Sequence, residues 1–326
     1  MNQVVLKTAL AFVAIGVAVG LFSSSEFFRV PGQGAGRPTP TPSAQQPPIS
    51  RSTSASTPGT KSAASSISKI IYVRTAAEFI KAIRSNVTII LKSGVYNLSK
   101  IQRINTRYVR WVGDEGGGYK PIINSVENLT ILGESEARIH IDWPYAVVLT
   151  FHRCKNVSIQ NLKIGHDVER GECLGSVLYF EDSDKVEVKN SVLFGSGTFG
   201  LELERITNMT VVDTTIKDCT YGIALITDSS EIRFERDVLR DNRQFDLINI
   251  RKSSNITFTH CNIEKNQTTS GRLSLLKLSL FEIDEHSNNI ILTDSRITNN
   301  NVAKLVNAEG RLTAKNNYFE GNKFDH

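Results

Sequence analysis

Residues 208–219 read NMTVVDTTIKDC, and this alternation of apolar and polar residues recurs along the chain. Clear copies begin at Glu231 (EIRFERDVLRDN), Asn255 (NITFTHCNIEKN) and Asn289 (NIILTDSRITNN), and weaker copies begin at Asn156, Lys185 and Arg311. Most neighbouring copies start about 23 residues apart, a period typical of solenoids built from short stacked strands. The repeat therefore predicts one elongated domain with a new coil at each copy.

Each copy predicts two strands of one coil. When the first residue of a copy is counted as zero, positions one and three are apolar and form a strand with one buried face. A small polar pair then marks a tight turn, and position eight is apolar again in a second strand. The last copy follows this pattern with Leu312, Ala314 and Phe319, which we expect in the core.

A third strand precedes each copy, as in GLELE before Asn208. Three strands per coil, each pairing with its equivalent about 4.8 Å away in the next coil, predict three parallel sheets around one core. We call the sheet formed by these preceding strands the third sheet. Position eleven is asparagine in the last four copies (Asn242, Asn266, Asn300 and Asn322), which favours a ladder of side-chain hydrogen bonds inside a turn.

The beginning of the folded part departs from the repeat. Thr75 and Glu78 have the spacing of a capping box, followed by an apolar helix face at Phe79, Ile80 and Ile83. Residues 100–127 fit the repeat poorly and predict a loop or an irregular first coil. A full coil then begins near Asn128.

The strand, turn and asparagine pattern resembles the right-handed parallel β-helices of the pectate-lyase-like superfamily, including the NosD-type repeat proteins. The resemblance covers residues 69–326 and implies an all-β fold, a right-handed parallel β-helix with a short N-terminal capping helix. That superfamily holds lyases, hydrolases, epimerases, isomerases and non-catalytic surface proteins, so it implies no single activity. The signature motifs of polygalacturonases and pectate lyases are absent as sets from this sequence.

The first 68 residues have a different composition. Residues 1–28 contain a short apolar run that suits either a signal peptide or a retained membrane anchor. Residues 29–68 are rich in Pro, Ser and Thr and predict a flexible linker. We therefore expect an extracytoplasmic protein, whether secreted, periplasmic or on the cell surface, that meets a membrane only through its N-terminal segment.

The charge distribution, the cysteines and the spacing of possible metal ligands argue against nucleic-acid binding, disulfides and a metal site. The formal net charge of +5 is dispersed without a basic run, which argues against nucleic-acid binding. We expect the four cysteines (Cys154, Cys173, Cys219 and Cys261) to be unpaired thiols. A site built from His166, Glu169 and Cys173 matches no standard metal-ligand spacing, so we predict neither a metal nor a cofactor.

The resemblance implies that a substrate lies along the outside of the third sheet, and strand alternation predicts which residues point outward there. One row then contains His152, Glu181, Glu204, Ile226, Arg251 and Asp284. The other contains Thr150, Tyr179, Glu202, Ala224, Asn249 and Glu282. His152, Glu181 and Glu204 would occupy successive rungs, close to the titratable loop that follows His166.

These rows suit two kinds of chemistry. Two carboxylates about 5 Å apart repel, so one of them could act as an acid and His152 as a base, which makes Glu181, Glu204 and His152 the candidate catalytic residues. Tyr179, Glu202, Asn249, Arg251 and His166 are the candidate substrate-binding residues, with Arg251 suited to a uronate carboxylate. Polar outward residues also suit an ordinary solvated surface.

Two functions follow from this pattern. The missing enzyme motifs favour a protein that binds or structurally engages an extracellular polysaccharide. The alternative is a lyase, hydrolase or epimerase that acts on an acidic glycan.

Overall fold

The computed structural model describes residues 69–114, 116–167, 175–195, 197–268 and 278–324. The predicted signal or anchor, the predicted linker and the central parts of the loops after His166 and Gln267 lie outside these residues. Among the described residues, no helix is long and apolar enough to cross a membrane.

The amino-terminal part combines one helix with the first strands. In chain order these are β1 (Lys69–Val73), α1 (Ala76–Ala82), β2 (Val87–Leu91), β3 (Gly94–Asn97), a 3-10 turn (Leu98–Lys100), β4 (Val109–Gly113), β5 (Tyr119–Asn124), β6 (Glu127–Gly133) and β7 (Ala137–Ile141). Thr75 caps α1, since its Oγ1 accepts a hydrogen bond from the Glu78 amide at 3.2 Å. Phe79, Ile80 and Ile83 are buried, and α1 contacts β1, β2 and β3. The predicted capping helix is confirmed.

Twenty-three further strands follow. They are β8 (Leu149–His152), β9 (Lys155–Gln160), β10 (Lys163–His166), β11 (Leu178–Glu181), β12 (Asp184–Lys189), β13 (Val192–Phe194), β14 (Phe199–Glu204), β15 (Thr207–Val212), β16 (Thr215–Lys217), β17 (Gly222–Thr227), β18 (Ser230–Glu235), β19 (Val238–Arg240), β20 (Arg243–Gln244), β21 (Ile248–Arg251), β22 (Ser254–Thr259), β23 (Asn262–Glu264), β24 (Gln267–Thr268), β25 (Ser279–Ile283), β26 (Asn288–Thr293), β27 (Arg296–Thr298), β28 (Lys304–Val306), β29 (Thr313–Lys315) and β30 (Tyr318–Glu320).

Three long sheets run the length of this stack. The first sheet has the order β1-β2-β6-β9-β12-β15-β18-β22-β26-β29, and the second has β3-β7-β10-β13-β16-β19-β23-β27-β30. The third sheet has the order β28-β25-β21-β17-β14-β11-β8-β5-β4. Except for the antiparallel pair β4–β5, neighbouring strands in these sheets are parallel and come from successive coils. The predicted parallel β-helix is confirmed.

The core is a set of side-chain columns along the inside of the sheets. Rings in neighbouring coils stack directly, with centroids 4.7 Å apart for Phe151 and Phe180 and 4.5 Å apart for Phe234 and Phe258. Contacts between aromatic rings contribute to stability beyond the area that the rings bury. The strict strand period therefore serves packing, because each apolar position meets its own equivalent one rung away.

The predicted asparagine ladder forms inside the turn after the second sheet. The Nδ2 of Asn242 donates to Asn266 Oδ1 at 3.1 Å, and the Nδ2 of Asn266 donates to Asn300 Oδ1 at 3.0 Å. The Nδ2 of Asn300 in turn donates to Asn322 Oδ1 at 2.9 Å. These side chains also accept hydrogen bonds from backbone amides of the turn. The ladder therefore stabilises every coil that it crosses.

Two details of the coil prediction are wrong. Ala314 and Phe319 are exposed, because they lie in the last described coil and no further described coil covers them. The second correction concerns the register of β17 and is described with the site.

The segment predicted as a loop or an irregular first coil contains the antiparallel hairpin of β4 and β5, and β5 joins the third sheet beside β8. The Asp114 side chain accepts hydrogen bonds from the amides of Gly116 and Gly118 in this hairpin. The segment is therefore an irregular coil.

Cys154 and Cys261 are buried free thiols, as predicted, and Cys219 is also buried. Burial raises the pKa of Cys154 to about 11 and that of Cys261 to about 12, which keeps both protonated at neutral pH. Cys173 lies outside the described residues.

Candidate functional site

The predicted catalytic residues lie on three consecutive strands of the third sheet. Glu181 pairs in register with His152 on one side and with Glu204 on the other, and all three side chains are half-buried on the exterior. We call these three residues the charged row. Alternation placed this row correctly, and its catalytic role stays a prediction.

Arg205 joins the carboxylates of the charged row. Its guanidinium donates to Glu181 Oε1 at 2.7 Å, to Asp182 Oδ1 at 2.5 Å and to Glu204 Oε1. The Tyr179 hydroxyl donates to the other oxygen of Glu204 at 2.6 Å. The carboxylates are therefore bridged by one cation, which offsets the repulsion that their spacing predicts.

The charged forms of Arg205 and its partners stabilise one another. The hydrogen bond from Arg205 holds the pKa of Asp182 below its usual range, and the same bond raises the pKa of Arg205. Burial, followed by the hydrogen bond to Glu204, raises the pKa of Tyr179, so this phenol stays protonated. The network thus presents several fixed hydrogen-bond acceptors on one surface.

Sequence reasoning did not identify Asp182 or Arg205, although a signal for them is present. The residue that follows each of five successive third-sheet strands (β8, β11, β14, β17 and β21) is charged, and its sign alternates from one coil to the next. These residues are Arg153, Asp182, Arg205, Asp228 and Lys252. All have a left-handed backbone with φ between 48° and 54°. Strand alternation gives no information about such turn positions.

His152 has a distinct environment at the start of the charged row. Its Nδ1 lies 2.8 Å from Asn124 Oδ1, while its Nε2 lies 3.5 Å from Asp182 Oδ2 and 3.9 Å from Glu181 Oε2. Among the described residues, His152, Glu181 and Asp182 offer ligand atoms that all lie within 4.8 Å of one another, and this group could hold a divalent cation. The absence of a metal remains a prediction from the sequence.

The observed register of β17 differs from the predicted one by one residue. Ala224 and Ile226, predicted to point outward, are completely buried, and Glu202 pairs with Leu225 and Glu204 with Thr227. The stretch Gly-Ile-Ala-Leu-Ile is apolar throughout, so alternation cannot set its register, and a slip of one residue exchanges its two faces. We call the observed row of Thr150, Tyr179, Glu202, Leu225, Asn249 and Glu282 the second row.

Two carboxyl groups of the second row are destabilised as anions. Burial raises the pKa of Glu202, and the effect is opposed by the hydroxyls of Ser176 and Thr198 and by the charge of Lys120. Burial also raises the pKa of Glu282, whose Oε2 is buried without a hydrogen-bond partner among the described residues. Such groups remain protonated to higher pH than an exposed carboxyl and can donate a proton or a hydrogen bond.

The remaining predicted binding residues have unequal access to a ligand. Asn249 is buried and donates to the Asp246 carbonyl at 2.7 Å. Arg251 is half-buried. Burial raises the pKa of Asp246 and that of Glu282, and the positive charge of Arg251 opposes part of this rise. His166 ends β10 of the second sheet, and its side chain is buried with Nε2 2.9 Å from the Ala146 carbonyl oxygen. Burial lowers the pKa of His166 to about 4, so it is a neutral interior residue.

An aromatic rim borders the edge where the third-sheet strands begin. It consists of Trp143, Tyr145, Phe199, Tyr221 and Phe245, which lie in or directly after the connections from the second sheet. Tyr145 is 44% exposed and the other four are partly exposed. Sequence reasoning missed this rim, and its only regular signal is that Tyr221 and Phe245 each stand three residues before the paired positions Ala224 and Ile248.

Neighbouring groups hold the rim in place. The rings of Tyr221 and Phe245 pack edge to face with centroids 4.8 Å apart, and Trp143 packs against Tyr119 at 5.8 Å. Gly116 and Gly118 in the β4–β5 turn leave room for the aromatic residues, since a Cβ on Gly116 would lie 2.1 Å from Tyr145 Cδ2. The rings are therefore fixed by packing yet keep part of their surface open.

The sequence and the fold match known proteins. The family model described as "Right handed beta helix region" matches residues 148–324. No curated protein matches the sequence. Among solved structures, the chain is similar to the pectate lyase pelN from Paenibacillus sp. 0602, with 12% identity, a TM-score of 0.56 and coverage of 78% of each chain.

Two further structures extend this likeness. The pectate lyase Pel9A has 12% identity and a TM-score of 0.52, with 77% of this chain and 70% of that chain covered. The pectin methylesterase PemA from Erwinia chrysanthemi has 14% identity and a TM-score of 0.50, with coverage of 78% and 89%. At these identities the likeness establishes the fold alone.

Proposed function

The chain belongs to the right-handed β-helix family, and we propose that it is an exported protein that binds a polysaccharide along the exterior of its third sheet. One observation carries this proposal. Partly exposed aromatic rings lie where the third-sheet strands begin, and hydrogen-bonded polar groups lie on the same sheet where these strands end, so that both features continue over several rungs.

This combination fits the surface of a sugar chain. The C–H faces of a pyranose ring are apolar, and they pack against the faces of aromatic rings, which carry partial negative charge. Sugar hydroxyls require fixed donors and acceptors, which Arg205 and Tyr179 provide by orienting the carboxylates of the charged row. Because the rungs repeat along the solenoid, a linear polymer is a better match than a compact small molecule.

The similar structures support the same ligand class. Their names describe two pectate lyases and a pectin methylesterase, which act on polysaccharides. An exported protein would meet such a ligand, because extracellular polysaccharides lie outside the cytoplasm. In this proposal, residues 1–28 direct or anchor the chain and residues 29–68 tether the domain.

A polysaccharide-active enzyme is the second candidate, and Glu202 favours it. Burial raises the pKa of Glu202, while Glu204, two residues away on the same face, binds Arg205 and the Tyr179 hydroxyl. A carboxyl with a raised pKa beside a second carboxyl that binds a cation is an arrangement that suits acid-base cleavage of a glycosidic bond. Product analysis distinguishes this candidate from simple binding, since an enzyme releases shortened or modified chains that Glu202→Gln does not.

The test begins with the full-length protein on an array of polysaccharides. We expect at least one polysaccharide to bind, and the variants Trp143→Ala and Tyr221→Ala to weaken that binding by at least about 1 kcal/mol each, as truncation of an aromatic anchor does. Glu181→Gln and Glu204→Gln should weaken it by about 1–2 kcal/mol, because each loses a charge-assisted hydrogen bond.

Two controls separate binding from folding. Tyr72 is an aromatic residue of the first sheet that is 56% exposed, so Tyr72→Ala should leave the affinity unchanged. Leu203→Ala should lower the free energy of unfolding by about 2–5 kcal/mol by emptying a core position, whereas the two Gln variants should lower it by less than about 1 kcal/mol. Equal affinity of the wild type and all rim and charged-row variants would refute the proposed site.

A further inference from the structure

A groove of about 490 Å³ lies on the exterior of the first sheet, on a different face of each coil from the charged row. Its volume lies within the range of about 300–1,000 Å³ that is typical of small-molecule sites. Four successive strands line it, namely β15, β18, β22 and β26. We call it the Arg233 groove.

The floor of the groove is a short polar row. Arg233 pairs in register with Thr210 on one side and with Thr257 on the other, so a guanidinium stands between two hydroxyls. The carboxylate nearest along this row is Glu187, one rung beyond Thr210, and its Oε2 accepts a hydrogen bond from the Ser158 hydroxyl at 2.7 Å. Along this row, the immediate neighbours of Arg233 are therefore neutral hydroxyls, and the first acid lies one rung further away.

Arg233 differs from the other arginines of nearby coils. Arg205 binds three carboxylates, and Arg236 binds Asp213 and Glu235. In the part of the chain that the structure describes, the exposed Arg233 guanidinium forms no ion pair and no side-chain hydrogen bond. Its donors are thus available to a ligand.

One wall of the groove is held by side-chain hydrogen bonds. The Nδ2 of Asn289 donates to Asn255 Oδ1 at 2.7 Å, and the Nδ2 of Asn255 donates to Glu231 Oε1 at 2.5 Å. The next residue of this column, Asn208, donates instead to Asp184 at 3.0 Å, so the chain of bonds is interrupted beside Arg233. This wall presents fixed amide and carboxylate groups to the interior of the groove.

We propose that the Arg233 groove binds an anionic sugar unit, whose carboxylate or sulfate group contacts Arg233. The planar fork of a guanidinium matches either anion with two parallel hydrogen bonds. Thr210, Thr257 and the wall amides would receive the sugar hydroxyls, and Glu231 would accept from one of them. This site is separate from the proposed third-sheet site and stands without it.

Isothermal titration calorimetry with three probes tests the groove. The probes are trigalacturonate, its fully methyl-esterified form and a sulfated disaccharide, each added to the full-length protein. We expect at least one anionic probe to bind, and Arg233→Gln to weaken it about tenfold or more, whereas the neutral ester should not depend on Arg233. Arg243→Gln is the matched control, because Arg243 is exposed on β20 outside the groove.

A second variant distinguishes binding at the groove from binding at the third sheet. Tyr221→Ala alters the third-sheet rim, so it should leave the Arg233-dependent binding intact even if the third-sheet proposal fails. Preference among the two anionic probes identifies the anion. If the anionic probes do not bind, or bind wild type and Arg233→Gln equally well, the inference is overturned.

Discussion

Individual residues show where local environment overrides the repeat. Asp237 is fully buried in the turn between the first and second sheets. Its Oδ1 accepts from the Thr214 amide at 2.8 Å and its Oδ2 from the Glu235 amide at 3.1 Å. Burial outweighs these bonds and raises its pKa to about 8. The sequence places Asp237 in a turn, but the pKa depends on the surrounding coils and could not be predicted from the repeat.

Asp237→Asn should change the dependence of stability on pH. Because the folded-state pKa of about 8 lies above the ordinary value of 3.8, the folded protein binds this proton more tightly than the unfolded chain. The wild type therefore loses stability as the pH rises between about 4 and 8, and the variant should lack that loss. Asparagine suits this turn, since Asn317 occupies the equivalent position and bonds the Ser295 amide at 2.9 Å.

Urea unfolding at intervals from pH 4 to pH 8 measures this difference. Asp294→Asn is the control, because it removes an exposed turn carboxyl in another coil and leaves the groups around Asp237 unchanged. A stability difference between wild type and Asp237→Asn that stays constant with pH would show that the Asp237 pKa is not raised.

At the scale of elements, alternation and turn residues account for most of the coil. The three strands per copy, the buried faces and the asparagine ladder follow from positions that recur at one period. The β4–β5 hairpin and the register of β17 do not, because one lies outside the repeat and the other is apolar on both faces. The aromatic rim lies in connections of varying length, where the repeat gives no fixed position.

Asn266→Ala should be strongly destabilising. The Asn266 side chain accepts from the Asn242 amide at 3.0 Å, donates to the Leu239 carbonyl at 2.8 Å and bonds both neighbouring asparagines. Its removal leaves several buried polar groups unsatisfied, and we expect a loss of about 3 kcal/mol or more in the free energy of unfolding. Thermal or urea unfolding measures the loss.

Asn301→Ala is the matched control, since Asn301 is exposed and is not part of the ladder. It should change the free energy of unfolding by less than about 0.5 kcal/mol. Equal effects of the two substitutions would mean that the ladder contributes nothing specific to the stability of the coils.

At the scale of the whole molecule, the solenoid separates fold from function. The interior is one continuous stack of apolar columns, while each exterior face carries its own pattern of polar groups. The repeat therefore predicts the architecture from the interior residues alone. Function depends on exterior residues that packing does not constrain, which is why the charged row was located but its partner Arg205 was not.

The central claim is that a polysaccharide lies against the aromatic rim of the third sheet, and tryptophan fluorescence tests it directly. The chain has two tryptophans, of which Trp111 is buried and Trp143 belongs to the rim. A Trp111→Phe protein therefore reports on Trp143 alone. Titration with the polysaccharide identified by the array should change the intensity or emission maximum of Trp143 with the same midpoint as direct binding. Saturable binding that leaves the Trp143 emission unchanged would contradict the claim.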